Sequence, residues 1–160
     1  MRYVMKQKFL SWGDDFTIKD AEGADRYFVD GKAFSIGDKA SFQDMQGNEL
    51  ARIEQKVLSF KKTYYIKRDG RNVATVKKKL FTMFRDAFDI EDEAAGDLDA
   101  QGDFLDHEYR FTRDGRTIAT VSKKFFSWTD TYGIDVAEGE DDVLILACAA
   151  VIDMCCHDEE

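Results

Sequence analysis

The sequence predicts a mainly β protein whose twelve antiparallel strands curl into a sandwich or close into a barrel, followed by a hydrophobic C-terminal α-helix. Three observations support this fold class. A short apolar unit occurs several times, Asp-Gly pairs recur between apolar runs, and one segment near the C-terminus is apolar on every side. The chain has 160 residues, 44% of them hydrophobic, so residues 1–160 are predicted to bury a sizeable core as a single domain.

Related segments appear along the whole chain. KFLSWGDDFTIKDAEG (8–23) resembles KFFSWTDTYGIDVAEG (124–139). A tighter unit occurs at residues 47–60, 70–83 and 115–128, with the pattern Gly-x-x-Φ-Ala-x-Φ-x-x-Lys-Φ-Φ-(Ser/Thr)-Φ, where Φ is apolar. A unit of this size used repeatedly indicates one supersecondary element that contributes to a common core.

The repeated unit is typical of β-structure. Asp30-Gly31, Asp69-Gly70 and Asp114-Gly115 predict hairpin turns, because glycine adopts the positive φ that tight turns need. Alanine and a branched apolar residue then share one strand face, which is predicted to line the core. Because alanine recurs on this core-facing side of the strands, we expect a bulky element to pack close to it. The predicted strands are 3–10, 14–19, 25–29, 33–36, 39–44, 49–56, 60–67, 72–79, 83–90, 105–112, 117–124 and 129–136.

Residues 141–156, DDVLILACAAVIDMCC, interrupt the β pattern and predict a helix. The segment is apolar on all sides from Val143 to Ile152, as in a helix that is buried all round. Val143 to Cys156 would span roughly 21 Å at 1.5 Å per residue, and Asp153 interrupts the run, so the segment is too short for a membrane span. The predicted location is the lumen of the barrel.

The segments GRNVATVKKKLF (70–81), GRTIATVSKKFFSWTDTYGIDV (115–136) and DDVLILACAAVIDMCC (141–156) carry a family resemblance. The chain resembles the LURP-one-related group of the tubby C-terminal-like superfamily, whose fold is similar to that of the phospholipid scramblases. The resemblance implies a closed twelve-stranded antiparallel barrel around a central C-terminal hydrophobic α-helix. No cofactor is predicted. Tubby domains bind phosphoinositide headgroups and scramblases act on phospholipids. None of tubby's headgroup-binding residues is assigned to a position in this chain.

Lysines recur at one position of the repeat and are candidates for binding an anion or a lipid headgroup. Lys8, Lys56, Lys79 and Lys124 share that position and are joined by Lys77, Lys78 and Lys123. Together at one rim of the barrel they would attract phosphate. The alternative is that they cover the solvent-facing ends of strands. The pairs Lys61-Lys62 and Lys67-Arg68 have the same two interpretations.

An acidic stretch suggests a calcium loop only weakly. Asp97, Asp99, Gln101 and Glu108 occupy positions 1, 3, 5 and 12 of an EF-hand spacing. Gln101 departs from the usual Asp or Asn, and the flanking residues are typical of strands rather than helices. The favoured interpretation is a solvated acidic loop, 91–103, between the strands 83–90 and 105–112, with no metal.

The remaining composition favours a protein that is not an enzyme. The sequence has no G-x-S-x-G elbow, no H-E-x-x-H and no glycine-rich phosphate loop. The formal net charge of -9 disfavours nucleic acid as a partner. Three cysteines near the C-terminus fit a reducing cytoplasm. Two hypotheses stand: a cytoplasmic barrel that binds anionic phospholipid at the membrane periphery, and a structural or protein-interaction module without a small ligand.

Overall fold

The computed structural model describes residues 1–6, 15–31, 39–56, 62–79, 87–125 and 131–157. These residues form β-strands β1–β12 in chain order, followed by one α-helix, α1. Their bounds are β1 Arg2–Lys6, β2 Asp15–Asp20, β3 Asp25–Asp30, β4 Lys39–Asp44, β5 Glu49–Gln55, β6 Thr63–Arg68, β7 Arg71–Lys78, β8 Ala87–Asp92, β9 Leu98–Asp103, β10 Glu108–Arg113, β11 Arg116–Ser122, β12 Thr131–Val136 and α1 Asp142–His157.

The twelve strands close into a single antiparallel barrel. Each strand pairs with its neighbours in sequence, and β1 closes the barrel by pairing with β12 over Arg2↔Asp135 to Lys6↔Thr131. Two of the predicted Asp-Gly pairs form tight turns: φ is 50° at Asp69 and 77° at Gly70, as the twist of adjoining strands requires. The predicted fold class is confirmed.

Antiparallel order gives the barrel two distinct ends. We call one the turn end: it holds the short connections 21–24, 45–48, 69–70, 93–97 and 114–115, and the segment 137–141 that leads into α1. The opposite end, where β1, β3, β5, β7, β9 and β11 finish, is called the lysine end. Helix α1 starts at the turn end and finishes at the lysine end.

Two strand predictions differ from the structure. The predicted acidic loop 91–103 contains β9, whose inward residues Leu98 and Ala100 are buried and pair with β8 and β10. Asp30-Gly31 does not form a two-residue hairpin between described strands, because β3 ends at Asp30 and the next described strand, β4, begins at Lys39. The predicted strand 33–36 lies outside the described residues.

Helix α1 fills the lumen, as its apolar composition predicts. Every residue from Leu144 to Cys156 is buried, and the recurring alanines of the strands, among them Ala51, Ala74 and Ala119, are 1–2% exposed. Alanine leaves room for the helix because its side chain projects little from the sheet, and α1 packs against β5, β6, β7 and β12. The prediction of a central helix is confirmed.

Charged groups hold the start of α1 at the turn end. The Arg68 guanidinium donates to both Asp141 carboxylate oxygens, at 2.6 and 2.9 Å, and Asp141 accepts from the Leu144 amide at 3.1 Å as a helix cap. Arg113 donates to Glu140 at 2.7 Å and to Asp92 at 3.0 Å. These contacts tie the helix to strands β6, β8 and β10.

Candidate functional site

The repeat position that carries lysine lies at the lysine end. β5, β7 and β11 run toward this end, so Lys56, Lys79 and Lys124 come directly after or close to their last residues. Lys8 and Lys61 lie outside the described residues. The structure therefore brings the described lysines of the repeat to one end of the barrel but does not place them all together.

Three lysines lie on adjacent strands and form what we call the β5–β7 lysine group: Lys56, Lys62 and Lys78. The Lys56 amide donates to the Thr63 carbonyl at 2.8 Å, and the Lys78 amide donates to the Lys62 carbonyl at 3.0 Å. Lys78 also stands opposite Phe88, which is fully buried in the core. Side chains alternate between the two faces of a strand. Lys78 therefore faces the lumen at the mouth of the barrel. Lys62 lies two residues before the buried Tyr64, so it is on the lumen-facing side as well.

Lys77 and Lys79 form ion pairs on the outer face of the barrel. Lys77 Nζ lies 2.6 Å from Glu91, and Lys79 Nζ lies 2.9 Å from Asp89 and 3.4 Å from Asp99. The hydrogen bonds that Lys77 donates to Glu91 and Lys79 donates to Asp89 raise the pKa of these two lysines. Pairs this exposed contribute little to stability, but each one reduces the charge available to a ligand.

Lys123 and Lys124 lie on the other side of the lysine end. Three strands, β8 to β10, separate β11 from β7. Lys123 Nζ lies 3.5 Å from Asp106, and the Lys124 side chain is exposed and makes no ion pair with the described residues. These two lysines would therefore contact a flat anionic surface together with the β5–β7 lysine group, but not a single small headgroup.

Charge is distributed unequally between the two ends. At the turn end, the connections, their flanking strand residues and the first residue of β1 carry fourteen acidic residues and five arginines: Asp20, Glu22, Asp25, Asp44, Glu49, Asp69, Asp92, Glu93, Asp97, Asp114, Glu138, Glu140, Asp141 and Asp142, with Arg2, Arg68, Arg71, Arg113 and Arg116. At the lysine end, the described strand ends and connections carry eight lysines and five acidic residues: Lys6, Lys39, Lys56, Lys62, Lys78, Lys79, Lys123 and Lys124, with Asp15, Asp30, Asp103, Asp106 and Glu108. Among the described residues, acidic side chains are therefore in excess at the turn end and lysines are in excess at the lysine end.

The EF-hand spacing falls on a hairpin. Asp99 and Gln101 lie on β9, and Glu108 lies on β10, where it pairs with Asp103. The Glu108 carboxylate accepts from the Ser122 hydroxyl, at 2.8 and 3.0 Å, and from the Lys123 amide. Asp97 comes just before β9, so the four residues are spread along a hairpin rather than around one loop. The described ranges contain no group of three or more His, Cys, Asp or Glu side chains suited to a metal ion.

Sequence reasoning missed a buried polar cluster near the lysine end. His107 Nε2 lies 2.8 Å from Asp153 on α1, and both side chains are 2% exposed. The His107 ring stacks on Tyr132 with 4.1 Å between centroids, and the Tyr132 hydroxyl donates to Asp153 at 3.4 Å. The one available signal was Asp153 itself, because a carboxylate inside an all-apolar helix requires a buried partner.

Titratable groups near this cluster are held in their neutral forms. Burial, with a smaller contribution from the Asp153 charge, raises the pKa of Tyr109 and of Tyr132 well above the usual range. Burial likewise raises the pKa of the Cys148 thiol. A thiol is a weak nucleophile when its thiolate is disfavoured, so these groups fit a structural role in the core.

Lys67 and Arg68 line an open groove on the outer face of β5 and β6. The groove has a volume of about 400 Å³ and includes Arg52 and Glu54 in its lining. Lys67 Nζ lies 2.8 Å from Glu54, and this hydrogen bond lowers the pKa of the Glu54 carboxyl. Arg68 is engaged with Asp141. The charges of the groove are of both signs and its cations are already paired, so the groove is a weak anion site.

Comparison with known proteins agrees with the geometry of the barrel. A family described as LURP-one-related matches residues 1–153. The uncharacterized protein YxjI of Bacillus subtilis is 35% identical over 156 residues, which cover 98% of this chain and 94% of that protein. An Arabidopsis thaliana protein solved by X-ray crystallography superposes with a TM-score of 0.70 at 17% identity, over 95% of this chain and 90% of that one. Helices able to cross a membrane are absent from the described part of the chain.

Proposed function

Because the chain belongs to the LURP-one-related family and carries its described lysines mainly at one end of a closed barrel, we propose that it is a non-enzymatic protein that docks its lysine end on anionic phospholipid surfaces. The observation that carries the proposal is the unequal charge of the two ends. Lysine ammonium groups attract phosphate as point charges, and each basic residue near an anionic leaflet contributes about 1 kcal/mol.

The negative net charge does not oppose this docking. Six-residue strands at roughly 3.4 Å per residue separate the two ends by about 20 Å. The Debye length at physiological ionic strength is about 8 Å. The acidic turn end is therefore screened from a membrane that contacts the lysine end, and its repulsion favours the orientation in which it points away.

The lumen supports a role without catalysis. Ligand pockets in barrels usually open at the mouth, whereas here the side chains of α1 occupy the interior from Leu144 to Cys156. The protein-interaction alternative is favoured by the groove beside Lys67, whose mixed charges suit a complementary polar surface. Against it, the described large apolar residues that are exposed, Met1, Met45 and Leu105, do not form one patch at one end.

Sedimentation with vesicles of phosphatidylcholine, alone or mixed with phosphatidylserine, tests the proposal. Binding is expected with the anionic vesicles only and to weaken between 50 and 200 mM salt. Lys56→Gln with Lys78→Gln is expected to weaken it about 30-fold, since two cations at about 1 kcal/mol each are lost. The matched control, Arg71→Gln with Arg116→Gln, removes the same charge from the exposed turn end and is expected to bind like the wild type.

Equal binding to neutral vesicles, or equal weakening by the two double variants, would contradict docking through the lysine end. Absence of binding in the wild type at both salt concentrations would instead favour the protein-interaction alternative.

A further inference from the structure

We propose that Leu105, at the tip of the turn between β9 and β10, is an apolar anchor that inserts into the bilayer when the lysine end docks on an anionic membrane, an inference that rests on the proposed function. The Leu105 side chain is 50% exposed. Met1 and Met45, the other large apolar side chains that are exposed in the described part of the chain, lie at the turn end. The lysine end therefore combines cations with a protruding apolar side chain.

The conformation of the β9–β10 turn directs Leu105 outward. The His107 amide donates to the Phe104 carbonyl at 3.3 Å. This bond closes a β-turn whose two central residues are Leu105 and Asp106. Phe104 instead points into the core, where its ring packs edge-on against Phe88 with 5.1 Å between centroids. The exposure of Leu105 is thus a property of a folded turn.

Two buried contacts hold this turn to the core. His107 Nε2 lies 2.8 Å from the Asp153 carboxylate of α1. The Phe104 ring lies 4.7 Å from the Tyr109 ring, measured between centroids. A side chain presented by a rigid turn loses little conformational freedom on binding, so more of the free energy of its burial contributes to affinity. Leu105 is therefore pre-organised for insertion.

The β9–β10 turn lies between two sets of lysines at this end. The strand order is β7-β8-β9-β10-β11, so the turn is on the rim between the end of β7 and the end of β11. Lys123 Nζ lies 3.5 Å from Asp106 and offsets the charge of that carboxylate, and the neighbouring Lys124 is exposed. A flat anionic surface that contacts lysines after both strands also meets Leu105. Apolar burial and electrostatic attraction then add, as in other interfacial anchors.

Vesicle sedimentation with matched variants separates insertion from charge attraction. Leu105→Ser is expected to weaken binding to phosphatidylserine-containing vesicles about five-fold, since about half of a leucine side chain is no longer removed from water. Salt does not screen apolar burial, so this ratio should be the same at 50 and 200 mM salt, whereas the effect of Lys56→Gln with Lys78→Gln should shrink. Leu105→Phe should bind at least as tightly as the wild type, because the ring buries more apolar area. The control Met45→Ser changes a side chain that is 45% exposed at the turn end and should bind like the wild type.

A fluorescent label tests insertion itself. All three cysteines of the chain, Cys148, Cys155 and Cys156, are buried, so a thiol-reactive, environment-sensitive dye should react at one introduced cysteine. With anionic vesicles, the dye on Leu105→Cys is expected to shift its emission to shorter wavelength and to be quenched by spin labels on the lipid chains. The same dye on Met45→Cys should not respond.

The outcomes distinguish this inference from the proposed function. Wild-type binding that Leu105→Ser leaves unchanged, or the absence of a dye response at position 105 in bound protein, would overturn the anchor and leave docking through the lysine end intact. Equal responses at positions 105 and 45 would contradict both the anchor and the proposed orientation. Absence of wild-type binding to anionic vesicles would overturn the proposed function and the anchor together.

Discussion

The His107–Asp153 pair offers the sharpest test of how the helix is held in the barrel. Each side chain is 2% exposed, the two atoms are 2.8 Å apart, and they come from residues 46 positions apart in the chain. His107→Leu leaves the buried Asp153 carboxylate without its imidazole partner. This variant is expected to lower the free energy of unfolding by about 3–5 kcal/mol. Asp153→Leu leaves the buried His107 imidazole without its carboxylate partner, and it is expected to lower the free energy of unfolding by about 1–3 kcal/mol.

The double variant discriminates between pairing and mere burial. If His107 and Asp153 stabilise each other, replacing both with leucine should cost less than the sum of the single costs by about 2 kcal/mol. The backbone φ of 53° at His107 disfavours leucine, but this cost enters the single and the double variant alike and cancels in the cycle. Urea unfolding at pH 7 measures all four proteins. Additivity within about 0.5 kcal/mol would refute the coupling.

Two further predictions concern the ends of strands. The hydrogen bond from Arg68 lowers the pKa of the Asp141 carboxyl in the folded protein. The pair therefore stabilises the folded state fully at pH values above the pKa of Asp141 in the unfolded chain. That stabilisation is lost as the pH falls through the lower pKa of the folded protein. Since the two side chains are 31% and 43% exposed, Arg68→Gln should lower the free energy of unfolding by only about 0.5–1 kcal/mol at pH 7 and by less at pH 3. Urea unfolding measures both values, and an equal loss at the two pH values would contradict the pairing. At Gly102, φ is +143° and an added Cβ would lie 2.5 Å from the Glu108 carbonyl oxygen, so Gly102→Ala should lower the melting temperature more than Gly115→Ala, where φ is also positive but the space is open. Equal shifts would show that the β9–β10 approach relaxes freely.

The closed barrel could be predicted because local signals agreed with the global fold. The repeated unit indicated which strand face lines the core. The apolar run from Val143 to Ile152 is hydrophobic all round, so it is stable only when buried in that core. The similar segments at the two ends of the chain lead into β2 and β12, which flank β1 in the closed sheet. Both finish in Ala-Glu-Gly, with φ of 87° at Gly23 and at Gly139.

Strand β9 could not be predicted because its propensity is poor. Its sequence, LDAQGD, is rich in acidic residues and contains glycine, both uncommon in strands. Closure of the barrel overrides that preference: β8 and β10 each provide a partner, and only Leu98 and Ala100 turn inward.

Pairing at the candidate site also depends on contacts that are remote in the sequence. The common position of the lysines in the repeat predicted one shared end, but it did not distinguish Lys78 at the barrel mouth from Lys79, which pairs with Asp89 on the outer face. A shift of one residue in a strand reverses the face. The partner of Asp153 was likewise hidden, since it comes from the β9–β10 turn.

Lysine labelling in the presence of membranes tests the central claim most directly. The full chain is acetylated with phosphatidylserine-containing vesicles and with pure phosphatidylcholine vesicles, and each lysine is quantified by mass spectrometry. Docking through the lysine end predicts that anionic vesicles slow acetylation of Lys56, Lys78 and Lys124, while Lys19 and Lys67, nearer the turn end, react as before. Protection at Lys19 and Lys67, or no protection at any lysine, would contradict the account.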